Sequence, residues 1–243
     1  MIRIVRLTAL AAVFTAFATA GFAQGQGNNT GMVANPCPTG QDFADLCKYA
    51  GEDAAITQNP RVVLFGDSIT ERWVAATPDL FTLGIVGRGI SGQTTMQMLL
   101  RFYQDVIALK PQAVQIMGGT NDIAGNSGPT SPQDFKNDIM AMVELAQAHR
   151  IRVLLASIPP SDKFGWNPAV KPAPRILELN TWLRNYAYQR KIVFVDYYTV
   201  LASKTGGLRP ELGEDGTHPN KDGYARMKPV LLNALSQVLG GQF

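Results

Sequence analysis

The sequence predicts an α/β fold in which helices cover both faces of a five-stranded parallel sheet. Two observations support this prediction: short β-branched runs recur along the chain, and stretches with apolar residues at helical spacing lie between and after them. Strands that alternate with helices form parallel sheets, which are buried on both faces. The five runs that fit buried strands span residues 62–65, 83–86, 113–117, 151–157 and 192–195.

Four longer stretches have the apolar spacing of helices. They span residues 94–109, 132–150, 173–190 and 223–239. Ser131 before Pro132 is a typical helix start. In an open parallel sheet a ligand site lies beyond the carboxyl ends of the strands, near a switch in strand order. We therefore expect functional residues in the segments that directly follow the strands.

The first 23 residues (1–23) have the pattern of a secretory signal peptide. Arg3 and Arg6 precede an apolar run over residues 7–17, and small residues follow it. This run is shorter than the ~20 apolar residues that a membrane-spanning helix needs. We therefore favour cleavage, after Ala20 or Ala23, over a membrane anchor, and we expect a periplasmic or secreted protein.

Residues 24–41 are rich in Gly, Asn, Gln and Pro, which predicts a flexible segment after the signal peptide. One folded domain is expected over residues 42–243, because the chain has enough length and apolar content for one substantial core. The two cysteines, Cys37 and Cys47, lie close together in sequence. In an oxidising compartment we expect them to form a disulfide, and two unpaired buried thiols are the alternative.

The charge of the chain gives no indication of a nucleic-acid partner. Removal of the signal peptide would take away two of the 22 basic residues and none of the 19 acidic ones, so the formal charge of +3 would become +1. No cluster of Lys and Arg with interleaved aromatics occurs elsewhere in the sequence. We expect no nucleic-acid binding and no stable membrane insertion after signal cleavage, and the oligomeric state stays open.

A candidate nucleophile follows the first predicted strand. This strand runs through Gly66 and Asp67 into Ser68, at the expected start of a helix. Glycine allows a sharp turn, and a backbone amide at a helix start can donate to a developing anion. Ser68 could therefore both attack a carbonyl and stabilise the resulting charge. The alternative is that Ser68 only caps the helix and Asp67 is a turn residue.

A base for this serine is expected late in the chain, before the last helix. A serine hydroxyl is a poor nucleophile until a base takes its proton, and that base is most often a histidine that a carboxylate holds in one tautomer. Asp215 and His218 could do this from one loop. The chain has only one other histidine, His149, which closes a predicted helix and is expected to serve the helix end or solvent.

Two glycine-rich turns follow the second and third predicted strands, at residues 87–94 and 118–122. Acyl transfer builds negative charge on the carbonyl oxygen, and donors aimed at this oxygen often contribute the largest share of the rate. The Gly92 amide and the Asn121 side-chain amide suit that role. The alternative is that both segments are only tight turns. We reject a nucleotide-binding fingerprint at 87–92 because these glycines follow the second strand rather than the first.

Together these four segments resemble the conserved blocks of the SGNH family, also called GDSL hydrolases. The Gly-Asp-Ser-Ile sequence at residues 66–69 corresponds to the block that names the family, and the resemblance extends from residue 61 to about residue 240. It implies a three-layer α/β/α sandwich of the flavodoxin-like type around a five-stranded parallel sheet. One departure is Gly87, where many relatives carry Asn, and it concerns loop support more than chemistry.

The resemblance also implies a role for each candidate residue. Ser68 would be the nucleophile of a Ser-His-Asp triad that Asp215 and His218 complete. The backbone amides of Ser68 and Gly92 would form the oxyanion hole together with Asn121. The implied activity is that of a serine esterase or acylhydrolase, which forms an acyl-enzyme intermediate and requires no metal or organic cofactor.

The substrate is open at this level. The proline-rich segment 158–168, which contains Trp166, is expected beside the site, and Trp73, just past the nucleophile block, is a second candidate to border it. Exposed tryptophans would suit a sugar ring and hence a short acyl group on a saccharide, whereas packing within the loops is the alternative. The resemblance also admits lysophospholipase and thioesterase activities. A catalytically inactive carbohydrate- or lipid-binding protein on the same scaffold is the alternative of another class.

Overall fold

The structure, a computed structural model, describes residues 42–241. The strands are β1 (Val62–Gly66), β2 (Ile85–Gly89), β3 (Ala113–Met117), β4 (Arg152–Ala156) and β5 (Val193–Val195). The helices are α1 (Ala50–Ala54), α2 (Ser68–Ala76), α3 (Thr95–Phe102), α4 (Thr120–Ala124), α5 (Pro132–Ala148), α6 (Pro172–Arg190), α7 (Tyr197–Leu201) and α8 (Lys221–Leu239). Short 3-10 helices span Pro78–Leu83 and Pro210–Leu212, and a π-helical segment, Tyr103–Ile107, continues α3.

The five strands form one parallel sheet in the order β2-β1-β3-β4-β5. This arrangement confirms the predicted sheet, and it is the strand order of flavodoxin-like folds. After β2 the chain passes back across β1 to form β3, so the strand order switches between β1 and β3. The carboxyl ends of these strands therefore border the place where a site is expected.

One face of the sheet is covered by α3, α5 and α6. Val63 of β1 and Val114 of β3 point to this face, where Phe102, Phe135 and Leu183 of the helices pack with them in one buried cluster. The central strands β1 and β3 are buried along their whole length, which explains why the sequence of each is a near-continuous apolar run rather than an alternating pattern.

The opposite face is covered by α2, α7 and α8. Leu64 of β1 points to this second cluster, which also contains Trp73, Tyr197 and Tyr224. The Trp73 ring is fully buried, and its centroid lies 5.6 Å from the ring centroids of both tyrosines. Two cores on opposite faces of one sheet confirm the three-layer α/β/α sandwich.

The second strand differs from its prediction. It was expected at residues 83–86 but forms at Ile85–Gly89, because Leu83 ends a 3-10 helix and Gly84 has a positive φ of 75°. The strand therefore extends through Gly87 and Arg88, which the sequence assigned to a turn. A glycine-rich strand is required here because the start of α2 lies directly against it.

The helix predicted at residues 94–109 also differs, since regular α-helix ends at Phe102 and five π-helical residues follow. The other three predicted helices match α5, α6 and α8 to within two residues at each end. The short helices α1, α4 and α7 have five residues each. Such single turns are too short to show a helical period in the sequence.

Residues 42–54 cover the edge of the sheet at β2. The Tyr49 hydroxyl donates to the carbonyl oxygen of Gly89, and Gln93 Nε2 donates to the carbonyl oxygen of Ala44 at 2.8 Å. Arg88 of β2 is buried beneath this cover, where its guanidinium pairs with Asp53. The cover therefore protects an edge strand whose free amide and carbonyl groups could otherwise pair with another chain.

Several predictions lie outside the described residues. These are the signal peptide, the flexible segment at 24–41, and Cys37, so the disulfide between Cys37 and Cys47 stays a prediction. Between residues 42 and 241, no helix is both long enough and apolar enough to span a bilayer.

Gly89 lies so close to α2 that no side chain fits. A Cβ atom at Gly89 would stand 2.1 Å from the backbone nitrogen of Glu71 and 2.6 Å from the carbonyl oxygen of Asp67. We predict that Gly89→Ala lowers the free energy of unfolding by about 3 kcal/mol, because it forces the backbone of a packed core apart. Urea denaturation followed by circular dichroism measures this loss.

The matched control is Gly51→Ala in α1. No atom lies within 4 Å of a Cβ atom added at Gly51. Its free energy of unfolding should stay unchanged or rise by up to about 1 kcal/mol, since alanine favours helix more than glycine does. An equal loss of stability in both variants would contradict the argument from close packing at Gly89.

Candidate active site

The segments that follow β1, β2 and β3 meet at the carboxyl-end edge of the sheet, as the sequence predicts. They border a cavity of about 180 Å³. The residues that line it are Ser68, Arg72, Ser91, Gly92, Asn121, Asn126, Trp166 and His218. The structure therefore brings together four predicted site residues, namely Ser68, Gly92, Asn121 and His218.

A larger cavity, of about 300 Å³, lies between the starts of α5 and α6. Phe135, Lys171 and Arg175 are among its lining residues, which include no histidine. Its one serine, Ser131, is the N-cap of α5 and bonds to Asp134 in a capping box. Size alone does not identify the reactive site. The smaller cavity is the one in which a nucleophile and a base are in contact.

Ser68 is the first residue of α2, directly after β1. Asp67 is the N-cap residue, and its side chain accepts a hydrogen bond from the Ile69 amide at 3.0 Å. The alternative in which Ser68 only caps the helix is therefore wrong. Ser68 Oγ instead lies 2.9 Å from His218 Nε2. A hydroxyl in contact with an imidazole nitrogen can transfer its proton to that base.

Asp215 holds His218 through two hydrogen bonds and the neighbouring Thr217 through a third. Its Oδ2 atom lies 2.7 Å from His218 Nδ1, and its Oδ1 atom accepts from the backbone amides of His218 at 2.8 Å and Thr217 at 2.9 Å. Gly216, with φ of 86°, allows the tight turn that places the carboxylate against Nδ1 of the ring. Asp215 and His218 therefore form one rigid unit within a single loop, as predicted.

The carboxyl group of Asp215 has a lowered pKa. Burial raises it, but the backbone and side-chain hydrogen bonds from His218, with the Thr217 amide, outweigh burial and hold the pKa below its ordinary value. The ionised carboxylate keeps the proton of the neutral imidazole on Nδ1. His218 Nε2 then presents a lone pair to Ser68, which is the arrangement that a general base requires.

The Asn121 side chain is 3% exposed and is fixed at both ends of its amide. Its Nδ2 atom donates to the carbonyl oxygen of Gln93 at 3.0 Å, and its Oδ1 atom accepts from Asn126 Nδ2 at 2.7 Å. The other Nδ2 contact, to Asp67 Oδ2, is long at 3.3 Å. This longer hydrogen bond is the weaker of the two, so it is the one that a substrate oxygen could replace.

The turn that carries Gly92 is held by Glu71 of α2. Glu71 Oε2 accepts a hydrogen bond from the Ser91 amide at 2.8 Å and another from the Ser91 hydroxyl. Lys48, in the segment that covers the sheet edge, pairs with Glu71 at 2.5 Å. The position of Gly92 therefore depends on α2, which starts at Ser68, and on residues 42–54, which cover the sheet edge at β2.

Beneath the cavity, the buried side chain of Arg101 joins the ends of two strands. Its guanidinium donates to the carbonyl oxygen of Gly66 at 2.7 Å and to that of Arg88 at 3.0 Å. It also donates to Gln93 Oε1 at 2.5 Å and pairs with Asp105 at 2.7 Å. None of the sequence motifs includes Arg101. The available signal was an Arg-Asp pair four residues apart within an apolar helical stretch.

Two carboxyl groups behind the nucleophile have raised pKa values. Burial raises the pKa of Asp67 to about 7, against the Ile69 amide that lowers it, and the nearby charge of Asp122 adds to the rise. Burial likewise raises the pKa of Asp122 to about 6, although hydrogen bonds from Thr95 oppose it. These carboxyls therefore change charge near neutral pH, beside the site.

The structure separates the two tryptophans that were candidates for the site. Trp166 is 46% exposed, it borders the cavity, and its ring centroid lies 6.1 Å from that of His218. It stacks on Phe164 with centroids 4.9 Å apart. Trp73 does not border the cavity, because this residue lies on the inner face of α2 and packs in the core. His149 caps the end of α5, as predicted.

The fold and the site agree with what the comparisons show: the chain belongs to the GDSL-like lipase/acylhydrolase family, whose model matches residues 64–226. The matched segment contains every residue proposed for the site. A GDSL-like lipase of Bacteroides thetaiotaomicron VPI-5482 is 42% identical and covers 81% of this chain and 99% of its own, with a TM-score of 0.78. A candidate acylhydrolase of Bacteroides fragilis NCTC 9343 is 43% identical and covers 82% and 100%, with a TM-score of 0.79.

A curated relative covers less of the chain. An uncharacterized lipoprotein of Bacillus subtilis (strain 168), YqeF, is 35% identical over 117 residues, which are 40% of this chain and 48% of that protein. The chain therefore spans about half the length of this relative. An acetylxylan esterase of Geobacillus stearothermophilus, Axe2, shares the fold at 19% identity, with a TM-score of 0.59 over 74% of this chain and 95% of its own.

The raised pKa of Asp67 predicts a pH-dependent stability. A carboxyl with a higher pKa in the folded than in the unfolded protein stabilises the fold below its unfolded value of about 4. This stabilisation is lost as the pH rises through about 7. Asp67→Asn retains an acceptor for the Ile69 amide but cannot ionise.

We therefore expect the wild-type free energy of unfolding, relative to that of Asp67→Asn, to fall between about pH 4 and about pH 7. Urea denaturation of both proteins at several pH values measures the difference. A difference that does not change with pH would show that Asp67 does not titrate in this range.

Proposed function

We propose that the protein is a serine esterase that hydrolyses short-chain carboxylic esters, with Ser68 as nucleophile, His218 as general base and Asp215 as the group that orients the base. The observation that carries this proposal is the continuous chain of contacts, 2.9 Å from Ser68 Oγ to His218 Nε2 and 2.7 Å from His218 Nδ1 to Asp215 Oδ2. Family membership supports acyl hydrolysis.

The first half of the reaction transfers the acyl group to the enzyme. His218 Nε2 takes the proton of Ser68 Oγ as the oxygen attacks the carbonyl carbon of the ester. The tetrahedral intermediate then breaks its bond to the alcohol oxygen, and His218 gives its proton to that oxygen. Asp215 stabilises the imidazolium between these two transfers without taking the proton itself.

The negative oxygen of the intermediate needs donors that are in place before it forms. The backbone amides of Ser68 and Gly92 supply two of them, and the Asn121 Nδ2 hydrogen that contacts Asp67 at 3.3 Å supplies the third. Ser68 contributes an amide at the start of α2, where backbone amides have no partner within the helix. Fixed donors stabilise the intermediate without reorganisation, which is the basis of their large effect on rate.

The second half of the reaction releases the acid. A water molecule takes the position of the departed alcohol, and His218 Nε2 accepts its proton as the water oxygen attacks the acyl carbon. The bond from Ser68 Oγ to the acyl carbon then breaks, and His218 returns the proton to Ser68. The enzyme needs no cofactor in this sequence of steps.

The triad is tested by single substitutions. We expect Ser68→Ala and His218→Ala to lower turnover of p-nitrophenyl acetate by about 10⁴–10⁶. Asn121→Ala should lower it by about 10²–10³, as expected for one oxyanion donor. Ser236→Ala on α8 and His149→Ala are the matched controls, and both should retain wild-type turnover. Near-normal turnover by Ser68→Ala would contradict the assignment.

For the substrate we propose an O-acetyl group on a saccharide. The small cavity suits a short acyl chain. Trp166 presents a half-exposed ring beside Ser68 and His218, held in place by stacking on Phe164. A fixed aromatic face offers a large contact area to a sugar ring at low entropic cost. Acetylxylan esterases share this fold, which is in keeping with the proposal.

Two other functions make different demands on the same site. A lysophospholipase or thioesterase would have to accommodate a long acyl chain, which a cavity of about 180 Å³ does not favour. A binding protein that has lost turnover would be expected to have lost at least one reactive group. All the proposed reactive residues are present, and the serine, histidine and aspartate are in contact.

We also propose that the protein acts outside the cytoplasm, either in a periplasm or after secretion. The N-terminal arrangement of basic, apolar and small residues supports export. The description of the Bacillus subtilis relative as a lipoprotein is in keeping with it. An oxidising compartment would also allow the predicted bond between Cys37 and Cys47.

The role of the Trp166 ring is tested by comparing Trp166→Ala with Trp166→Phe. Both variants lack the indole N–H, so their difference isolates the aromatic face. On acetylated xylo-oligosaccharides we expect kcat/KM of the Ala variant to be about tenfold below that of the Phe variant, mainly through KM. On p-nitrophenyl acetate the two variants should differ by less than about threefold. If the ratio of kcat/KM between the Phe and Ala variants were the same on both substrates, the proposed contact between Trp166 and a sugar ring would be contradicted.

A further inference from the structure

Asn126 lines the cavity but belongs to none of the sequence motifs. We propose that it is a positioning residue, which fixes the orientation of the Asn121 amide and is itself oriented by Trp166. The inference rests on the proposed esterase function, because it concerns how the oxyanion hole is kept ready for the reaction.

The side chain of Asn126 contacts three parts of the site. Its Nδ2 atom donates to Asn121 Oδ1 at 2.7 Å and lies 3.3 Å from the carbonyl oxygen of Gly92. Its Oδ1 atom accepts a hydrogen bond from Trp166 Nε1 at 3.0 Å. The Asn126 amide therefore contacts Asn121 and Gly92, the two residues proposed to supply oxyanion donors from outside α2. It also contacts Trp166, the residue proposed to bind the sugar ring.

The backbone places Asn126 for these contacts. It follows Gly125, the C-cap residue of α4, which has a φ of 74°. The Asn126 amide donates to the carbonyl oxygen of Asn121 at 3.0 Å. Asn121 and Asn126 are thus joined by a backbone and a side-chain hydrogen bond, so the distance between their amide groups is set by one short turn.

The direction of each hydrogen bond in the series from Trp166 to Gln93 follows from the groups at the two ends of that series. An indole N–H can only donate, so Asn126 must turn its oxygen to Trp166 and its Nδ2 to Asn121. A backbone carbonyl can only accept, so Asn121 must turn its Nδ2 to Gln93. The sequence of donors and acceptors from Trp166 to Gln93 therefore has one consistent orientation.

The orientation of the Asn121 amide matters because the reversed orientation would destabilise the negatively charged intermediate. If Asn121 were rotated by half a turn, its oxygen would replace the nitrogen that is proposed to face the substrate. An acceptor would then meet the developing negative charge in place of a donor. Asn126 prevents this, since its Nδ2 hydrogens require an oxygen from Asn121 at the contact between them.

The test is Asn126→Asp, which has nearly the same shape. It retains an oxygen for Trp166 but places a second oxygen, which cannot donate, against Asn121 Oδ1. With p-nitrophenyl acetate we expect kcat to fall by about 10–100-fold, while KM changes by less than about threefold. Asn126→Ala also removes the donor and should lower kcat in the same direction, without adding charge.

A double-mutant cycle separates positioning from other effects. In an Asn121→Ala background, Asn126→Asp should lower kcat by less than about twofold further, because the group that it orients is gone. A new charge that acted directly on His218 would slow both backgrounds equally. Asn233→Asp, at an exposed position of α8, makes the same charge change elsewhere and should retain wild-type kcat.

Two results would overturn the inference alone. One is a kcat within about twofold of wild type in both Asn126 variants, and the other is an equal loss from Asn126→Asp in the two backgrounds. Absence of Ser68-dependent turnover in the wild-type protein would instead overturn the proposed function, and this inference with it. Thermal denaturation of each variant identifies any that fails to fold, and the cycle is then run with the Asn126 variant that folds.

Discussion

The site depends on a buried guanidinium that holds the ends of two strands at a fixed separation. Arg101 binds the carbonyl oxygens of Gly66 and Arg88, which lie near the ends of β1 and β2. Ser68 and Gly92 follow these two strand ends within a few residues. The two backbone amides proposed for the oxyanion hole therefore owe their relative position to one side chain from a neighbouring helix.

A charge in this position is costly unless it is fully paired. Burial lowers the pKa of the Arg101 guanidinium, and the contact with Asp105 opposes that change. Removing one partner of a buried pair typically costs 3–5 kcal/mol, because the other charge is left uncompensated. The buried Arg101–Asp105 pair therefore stabilises the fold only while both charges stay paired. What it contributes is a defined geometry at the strand ends, where mobile turns would otherwise be expected.

The sequence predicted the features that depend on local pattern. Buried strands and long helices have characteristic spacings, and Ser68 and His218 lie in short segments whose residue types match the chemistry. The features that it missed depend on contacts between distant segments. Arg101 and Asn126 are ordinary polar residues until the fold places acceptors around them. Helical spacing could have resolved the open question about Trp73, because residues five apart lie about 140° apart around a helix, so Trp73 does not share the face of Ser68.

The central claim is that Ser68 is the nucleophile that carries the acyl group. It is tested most directly by treating the protein with a fluorophosphonate, which reacts with activated serines, and locating the adduct by peptide mass spectrometry. The account predicts one adduct, on Ser68, with loss of esterase activity in proportion to labelling and no labelling of His218→Ala. An enzyme that hydrolyses esters but carries the adduct on another residue, or keeps its activity when Ser68 is fully labelled, would contradict it.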